Sequence, residues 1–498
     1  MSKGSTGKAH RRPAKARRRA AKADPAAPPK KRLRRHVRGA AYMDKAAHLR
    51  TRSERADAGK ALRVTCPRES HAGFKPDVAR PDPIALLERS SEGRIPALVP
   101  LRYGRMLASP FAFFRGAAAI MAADLAHTPN TGLGVQACGD AHLANFGAFA
   151  TPERRIVFDI NDFDETFPAP WEWDLKRLAA SFVVASRNNG HKPADGRAAA
   201  AAAARHYGAK LRELAATQTL DAWYSYLDYE EIIEETDDDE LKRRRKKLLE
   251  KALDRNSAAE FDNLAHLDEG RPRIKDAPPL IYHADEMRAP GFDAAVRDNI
   301  ARYRESMPRD RRLLLDRYEV ADMAIKVVGV GSVGTFCAIV LLFAAEDDPL
   351  FLQVKEARDS VLAPYVTFPP FPSNGERVVV GQRVMQAASD VFLGHLVSVA
   401  GRHLYVRQLR DVKVKPMIEI FTPQNMLGFA RDTGCALARA HARSADPAVI
   451  AGYIGKGDAF AEALGEFAVD YADQNERDHA ALVAAVRAGR IEAETEAE

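Results

Sequence analysis

The most constraining feature of this sequence is an acidic stretch that runs from Gly139 to Glu165. It reads Gly-Asp-Ala-His-Leu-Ala-Asn-Phe-Gly, then a short turn, then Ile-Val-Phe-Asp-Ile-Asn-Asp-Phe-Asp-Glu. The acidic residues interrupt strand-forming apolar runs instead of following one solvated face. Because a buried carboxylate is costly unless it is hydrogen-bonded or binds a metal, the pattern predicts a functional site. The alternative is an acidic loop between two exposed strands.

Two short strands are predicted inside this stretch. Residues 146–150 and 156–160 have the apolar character of strands, and the residues between them contain a proline that suits a turn. A hairpin of this form brings the loop from Asp140 to Asn145 close to Asp159. Two carboxylates and an amide oxygen that converge at a hairpin mouth suit a hard cation with oxygen ligands, above all Mg²⁺.

A second informative segment lies near residue 330. It reads Val-Gly-Val-Gly-Ser-Val-Gly-Thr and contains Gly-x-Gly-x-x-Gly. A dinucleotide-binding fold requires a helix directly after the glycines, and a Walker loop requires Lys where Thr335 stands. The apolar run 336–343 favours a glycine-rich hairpin whose backbone N–H groups approach a phosphate. The residues predicted to do so are Gly329, Gly331, Ser332 and Gly334.

The strand predicted after this hairpin carries a single inward-phase lysine. Residues 349–356 read Pro-Leu-Phe-Leu-Gln-Val-Lys-Glu, which contains Lys355. A helix is predicted over 376–388 and offers Glu376 as an acidic partner for this lysine, with Glu356 as a weaker candidate. The alternative for Lys355 is an exposed position on the strand.

Positive charge is concentrated at the amino end of the chain. Residues 1–40 contain 15 Lys or Arg and one Asp, a net charge of +14, whereas the whole chain carries +7, so the remainder sums to −7. With almost no large apolar residues, this tail is predicted to be disordered. A weak contact with nucleic acid or an anionic surface, and a solvated tail without a partner, both stay open.

Cysteine usage and hydropathy indicate a cytoplasmic protein. The four cysteines are scattered and form no Cys-x-x-Cys pair, which argues against a disulfide framework or a zinc cluster and favours a reducing compartment. No stretch approaches 18 uninterrupted apolar residues, so no transmembrane segment is expected. Arginines 102, 105 and 115, which stand beside aromatic residues, fit either a structural role or a phosphate contact.

The sequence predicts five regions. They are a disordered basic tail (1–60), a helical lobe with the acidic hairpin and a charged helical insertion near 229–255 (61–315), a small β-rich nucleotide-binding lobe (316–412), a helical part (413–490) and an acidic tail (491–498).

The acidic stretch resembles the catalytic core of protein-kinase-like phosphotransferases, particularly the aminoglycoside and small-molecule kinase branch. There, a loop of the form H-G-D-x-H-x-x-N precedes a β-hairpin ending in I-D-[FW]. The resemblance implies that Asp140 is the base that orients an acceptor hydroxyl, and that Asn145 and Asp159 hold Mg²⁺ against the phosphates of ATP. Asp162 and Asp164 are alternative metal ligands, although the spacing from Asn145 favours Asp159.

Further segments extend this resemblance. Trp173-Asp174-Leu175 resembles the following kinase segment, whose Asp braces the catalytic loop, and Lys355 resembles the third-strand Lys that pairs with the α and β phosphates. In this chain the catalytic loop precedes the glycine loop, the reverse of the kinase order. The resemblance therefore implies an α+β, protein-kinase-like two-lobed fold that is circularly permuted, with a mostly helical C-lobe. This hypothesis requires Lys355 and Asp159 to face one cleft.

From about residue 63 to 489 the chain resembles the bacterial family called "domain of unknown function 2252". The resemblance rests on Tyr103-Gly104-Arg105-Met106, on both halves of the acidic stretch, on the glycine segment and on Arg407-Gln408-Leu409-Arg410-Asp411. The family implies no substrate. Three functions stay open: an ATP-dependent phosphotransferase with an unknown hydroxyl acceptor, a nucleotide-binding pseudokinase or nucleotidyl-transferring protein, and a metal-dependent phosphoesterase built on Asp140-Ala-His142. The phosphoesterase would also need a later Gly-Asn-His, which the sequence lacks.

Overall fold

The computed structural model describes residues 37–38, 49–253, 257–345, 348–409 and 412–494 as an α+β protein. The helices are α1 (Arg52–Ala61), α2 (Pro83–Ser91), α3 (Val99–Leu107), α4 (Pro110–Gly116), α5 (Ala118–Leu125), α6 (Trp171–Asn188), α7 (Pro193–Ala216), α8 (Thr219–Tyr224), α9 (Tyr229–Glu234), α10 (Asp239–Leu253), α11 (Ser257–Leu264), α12 (Phe292–Glu305), α13 (Arg309–Leu315), α14 (Asn374–Met385), α15 (Pro423–Ala442), α16 (Pro447–Ile454) and α17 (Ala459–Arg487). The strands are β1 (Val37–Arg38), β2 (Gly134–Ala137), β3 (Phe146–Ala150), β4 (Ile156–Ile160), β5 (Phe167–Pro170), β6 (Ala265–Asp268), β7 (Arg271–Ile274), β8 (Ile281–Tyr282), β9 (Glu319–Lys326), β10 (Cys337–Phe343), β11 (Pro349–Glu356), β12 (Val366–Thr367), β13 (Gly394–Val397), β14 (His403–Gln408) and β15 (Lys413–Val414).

A six-stranded antiparallel sheet forms around the glycine segment, with its strands in the order β13-β14-β11-β10-β9-β8. The glycine loop joins β9 to β10, which confirms the predicted glycine-rich hairpin. Strand β11 covers the predicted lysine strand, and α14 follows it. The register pairs Lys355 with Cys337 on β10 and with Tyr405 on β14, so these three side chains share one face of the sheet.

The predicted acidic hairpin is confirmed at both strands. β3 and β4 pair antiparallel, with Phe146 opposite Ile160, and β15 adds a third strand beside β3. This third strand comes close because Gly147 has no side chain: a Cβ there would lie 2.6 Å from the carbonyl oxygen of Val414. Strand β3 begins at Phe146, directly after Asn145, so the hairpin continues from the loop that contains Asp140.

Helix α6 lies in the middle of the helical part and is buried from Trp171 to Ser186. It packs against α7 and α17, and the Trp171 ring stacks on Tyr207 with the ring centroids 5.6 Å apart. A helix that is buried nearly all round is a rigid support. Its first two turns carry Asp174 and Arg177, which contact the acidic stretch.

Two sequence predictions need correction. The predicted disordered tail extends to residue 60, but Arg52–Ala61 form helix α1, which packs against α16; most of the remaining tail lies outside the described residues. Residues 457–474 and 478–488 are predicted as two helices, whereas the structure has the single helix α17. No glycine or proline stands between residues 474 and 478 to interrupt it. In the part of the chain that is described, no helix has the length and apolar character needed to cross a membrane.

Candidate functional site

A cleft of about 140 Å³ lies between the glycine loop and the acidic stretch. Six of the sequence-predicted site residues line it: Asp140, Asn145, Asp162, Gly329, Gly331 and Ser332. Further charged residues in the lining are Arg94, Arg102, Arg115, Asp164, Glu165, Glu356 and Arg358. The structure therefore brings together most of the residues that the sequence singled out, from segments almost 200 positions apart.

The loop that carries Asp140 is held by Asp174, as predicted from the kinase resemblance. The backbone N–H groups of Cys138 and Gly139 donate to the two Asp174 carboxylate oxygens at 2.6 and 2.9 Å. Gly139 has a φ of 81°, and a Cβ there would overlap the carbonyl oxygen of Glu165. Glycine satisfies both conditions, so the backbone can adopt the conformation in which these two hydrogen bonds form.

The Asp140 carboxylate is fixed on one side only. The Nε atom of Arg177 donates to Oδ1 at 2.6 Å, while Oδ2 lies 3.8 Å from the Nε2 atom of His142. Burial raises the pKa of Asp140 and the Arg177 guanidinium opposes that shift. Burial also lowers the pKa of His142 well below its ordinary value, so the imidazole is neutral near pH 7. Oδ2 is thus the Asp140 oxygen that can accept a hydrogen bond from a further donor.

Asn145 is held in place through its amide nitrogen and its backbone oxygen. Its Nδ2 atom donates to the backbone oxygen of Asp140 at 2.8 Å, and its backbone oxygen accepts the N–H of Asn161 at 2.8 Å. Because Nδ2 is the donor in the first bond, Oδ1 is the atom that this side chain offers to a ligand in the cleft.

Asp159 does not line the cleft, contrary to the sequence prediction. Its side chain is fully buried, and the Nη2 atom of Arg439 contacts both carboxylate oxygens at 2.8 and 2.7 Å. The N–H of Ala387 also donates to Oδ2 at 2.8 Å. A carboxylate that is engaged by a guanidinium and a backbone N–H and does not reach the cleft forms a structural ion pair, so the position of Asp159 does not fit the metal-ligand role predicted for it.

Lys355 contacts Asp164 rather than either predicted glutamate. Its Nζ atom lies 2.5 Å from Asp164 Oδ2, and the Tyr405 hydroxyl donates to Oδ1 at 2.5 Å. Burial alone would lower the pKa of Lys355, but Asp164 and Tyr405 hold it well above its ordinary value. Burial alone would raise the pKa of Asp164, but the Lys355 ammonium holds it below its ordinary value. Both groups are therefore charged near pH 7.

Asp162 and Glu165, like Asp140, have pKa values that the cleft raises. Burial and the neighbouring Asp164 carboxylate raise the pKa of Asp162, and burial raises the pKa of Glu165 to about 7. Acidic groups held in this way favour a cation nearby. Within the described ranges, no group of three or more His, Cys, Asp and Glu side chains is arranged to hold a metal ion.

The glycine loop is tied to the helices that precede the acidic stretch. Arg105 donates to the carbonyl oxygen of Gly329, and the N–H of Ile95 donates to that of Gly334 at 2.7 Å. Gly329 and Gly334 have φ values of 69° and 83°, which other residues rarely adopt. Gly334, for which a phosphate contact is predicted, is not among the residues that line the cleft, and its carbonyl oxygen is held by this helical segment.

Two arginines that the sequence analysis singled out, Arg102 and Arg115, lie in the cleft lining. Arg102 is 2% exposed, and the buried Nε atoms of Arg102 and Arg115 have no hydrogen-bond acceptor among the described residues. The other guanidinium nitrogens of Arg102 donate to the hydroxyls of Ser90 and Ser91 and to the carbonyl oxygen of Gly116, which agrees with the structural role, one of the two that the sequence leaves open. The cleft lining therefore holds both signs of charge, and the Arg115 guanidinium lies near enough to oppose the rise in the pKa of Asp140 that burial causes.

Fold and site together define an α+β protein in which the glycine hairpin of an antiparallel sheet faces an acidic loop braced by a buried helix. The chain belongs to the family described as "Uncharacterized protein conserved in bacteria (DUF2252)", whose model matches residues 94–485. This confirms the family resemblance of the sequence, and the match includes the acidic stretch, the glycine loop and Lys355. No curated protein and no solved structure matches the chain.

Proposed function

We propose that this protein is an ATP-dependent phosphotransferase that uses Mg²⁺ and acts on a hydroxyl acceptor. The observation that carries the proposal is the shared cleft, which Asp140, Asn145 and Asp162 of the acidic stretch line together with residues of the glycine loop. Phosphoryl transfer depends mainly on positioning and on charge stabilisation, and this cleft has groups suited to both.

The order of elements in the six-stranded sheet supports the proposal. A glycine loop joins two strands, Lys355 stands on the next strand, and α14 follows, as in the nucleotide-binding part of kinases. In kinases the lysine is paired with an acidic residue of that helix. Here Asp164 takes that place at 2.5 Å, so the ammonium is held from the acidic stretch.

The donor set of the cleft fits Mg²⁺ in the way this ion is usually bound. Mg²⁺ commonly uses one or two carboxylates together with substrate phosphates and water. Asp162 and the Oδ1 atom of Asn145 would hold it, and the ion when bound would neutralise charge on the phosphates. The raised pKa of Asp162 is consistent with a carboxylate that gains stability from a neighbouring cation.

Four residues have distinct tasks in this proposal. Asp140 accepts the proton of the acceptor hydroxyl through Oδ2, because Arg177 holds Oδ1 at 2.6 Å. Asp174 positions the Asp140 loop through its two backbone hydrogen bonds. Arg115, with its unpartnered buried Nε, supplies positive charge near Asp140.

Nucleotide binding requires the glycine loop to move. The cleft volume of about 140 Å³ is below the roughly 300–1,000 Å³ of typical ligand pockets. Arg105 and Arg94 donate to the carbonyl oxygens of Gly329 and Val333, and these are the contacts that opening would break. Loops that close over a substrate in this way exclude water and complete the site.

Thermal unfolding with and without Mg-ATP is the test of binding. A ligand that binds only the native state at 100 times its Kd adds about 2.7 kcal/mol of stability. We expect that gain in the wild type, its loss in Asp162→Asn, and its retention in Glu153→Gln, an exposed acid in the turn of the same hairpin. If no nucleotide stabilises the wild type, the proposal is wrong.

Radiolabelled ATP tests the transfer step. With cell extract as the source of acceptors, we expect wild-type protein to transfer the γ label, and Asp140→Asn to lose transfer while keeping the Mg-ATP stabilisation. Transfer of the α label would instead identify nucleotidyl transfer. Stabilisation without transfer of either label would contradict catalysis and leave a nucleotide-binding protein.

A further inference from the structure

A second and larger cavity, of about 750 Å³, lies on the other face of the six-stranded sheet. Leu352 and Val354 of β11 line it. Side chains alternate along a strand, so Lys355 points to the opposite face and towards Asp164. The cavity is therefore separate from the cleft described above.

Two amphipathic surfaces form the walls of this cavity. Helix α12 contributes residues at spacings of three and four, and the sheet contributes alternate residues of its strands. The helix residues are Phe292, Ala295, Val296, Asn299, Ile300 and Tyr303. The main sheet residues are Met323, Ile325, Val340, Leu352, Val354, Leu396, Leu404 and Val406. Such surfaces normally pack directly together, yet Phe292, Val296 and Ile300 are only half-buried.

Polar side chains in the lining have partners within the protein. The imidazole of His283 contacts the carboxylates of Asp276 at 2.8 Å and Asp322 at 3.1 Å. The Oδ1 atom of Asn299 accepts the N–H of Val399 at 2.9 Å. Because these groups are already satisfied, the interior suits a ligand body that offers no hydrogen bonds.

One cation stands at the edge of the cavity. The Arg402 side chain is 50% exposed, beside the exposed lining residues Val399 and Ala400. Its guanidinium contacts Glu356 at a long 3.4 Å and lies 5.8 Å from the centre of the Phe336 ring. A half-exposed guanidinium at this position can bind a carboxylate whose apolar remainder enters the cavity.

We infer that this cavity binds a long-chain fatty acid, with the aliphatic chain between α12 and the sheet and the carboxylate on Arg402. The volume of about 750 Å³ lies within the roughly 300–1,000 Å³ of small-molecule sites. Apolar cavities of about 150 Å³ already bind apolar molecules. The inference does not depend on the proposed phosphotransfer.

Binding of palmitate below its micelle concentration tests the site, measured by calorimetry and by displacement of cis-parinaric acid. We expect saturable 1:1 binding to the wild-type protein. Ala295→Trp places an indole in the cavity and is expected to abolish binding, whereas Ala294→Trp, on the exposed side of the same helix, is expected to retain it. Circular dichroism checks that both variants fold, and Val354→Phe replaces Ala295→Trp if that variant does not. Absence of saturable binding to the wild type, or unchanged binding to the filled variant, overturns the inference.

Arg402→Leu tests the head-group contact. Because a charge-assisted hydrogen bond contributes to the free energy of binding, its loss should weaken palmitate binding about tenfold. Methyl palmitate has no charge to lose and should bind the wild type and Arg402→Leu alike. If the substitution weakens both ligands equally, or neither, the assignment of the carboxylate to Arg402 is wrong.

Discussion

The carboxylate of Asp159 and the guanidinium of Arg439 form an ion pair that solvent does not reach. The Nη2 atom of Arg439 lies 2.8 and 2.7 Å from the two carboxylate oxygens, and both side chains are 0% exposed. The pair joins β4 to α15, 280 residues further along the chain. An acidic residue beside a candidate metal site therefore contributes to the fold instead of to the cleft.

Breaking this pair should destabilise the protein strongly. Asp159→Leu leaves the Arg439 charge buried without a counterion, at an expected cost of about 3–5 kcal/mol in the free energy of unfolding. Urea denaturation measures this cost, and Asp162→Asn is the control, because Asp162 lines the cleft. We expect Asp159→Leu to keep its stabilisation by Mg-ATP where it folds. If Asp159→Leu lowers the free energy of unfolding only slightly but abolishes the stabilisation by Mg-ATP, Asp159 is a metal ligand after all.

Asp174→Asn should slow transfer without abolishing nucleotide binding. The asparagine amide would direct an N–H group at the backbone N–H of Cys138 or Gly139, both of which now donate to Asp174. The loop would shift, and a displacement of about 1 Å at a reacting group costs about 10²-fold in rate. Label transfer and Mg-ATP stabilisation, measured together, separate the two effects. Asp195→Asn, at the exposed start of α7, is the control, and an unchanged rate in Asp174→Asn would contradict the bracing role.

Glu165 should make stability fall as the pH rises. Burial raises its pKa from 4.5 to about 7, so between these values the native state keeps a proton that the unfolded state has released. The free energy of unfolding of the wild type, relative to Glu165→Gln, should therefore decrease from pH 4.5 to pH 7 and stay level above that. The glutamine preserves an acceptor for the N–H of Val361, which donates to Glu165 at 2.7 Å. Parallel stability profiles for the two proteins would show that Glu165 has an ordinary pKa.

Local patterns in this sequence predicted local structure well. The acidic hairpin and the strand of Lys355 follow from apolar alternation and a turn proline, which act over a few residues. The identity of the acidic partner of Lys355 could not be predicted in this way. Asp164 is 191 residues away, and Glu376 offers the same carboxylate much closer in the sequence. Only tertiary packing selects between two such carboxylates.

Longer-range features of the site also lay beyond sequence patterns. Arginines of the segment before the acidic stretch reach the glycine loop more than 200 residues later, as with Arg105 and Gly329. Helix α12 begins at Phe292, after Gly291 with a φ of 88°, and no sequence pattern indicated the cavity beneath this helix. Periodicity predicts which face of a helix is apolar but not how far that face stands from its neighbour.

Gly452→Ala should loosen the packing of the amino-terminal helix α1. A Cβ at this position would overlap the carbonyl oxygen of Ala56, because α1 and α16 approach backbone to backbone here. Overpacking of this kind costs about 1–3 kcal/mol, against a gain of up to about 1 kcal/mol from replacing a helical glycine. We therefore expect a lower free energy of unfolding and faster proteolysis within Arg52–Ala61. Gly457→Ala, whose Cβ would meet open space, is the control, and a more stable Gly452→Ala protein would show that α1 does not occupy this position in solution.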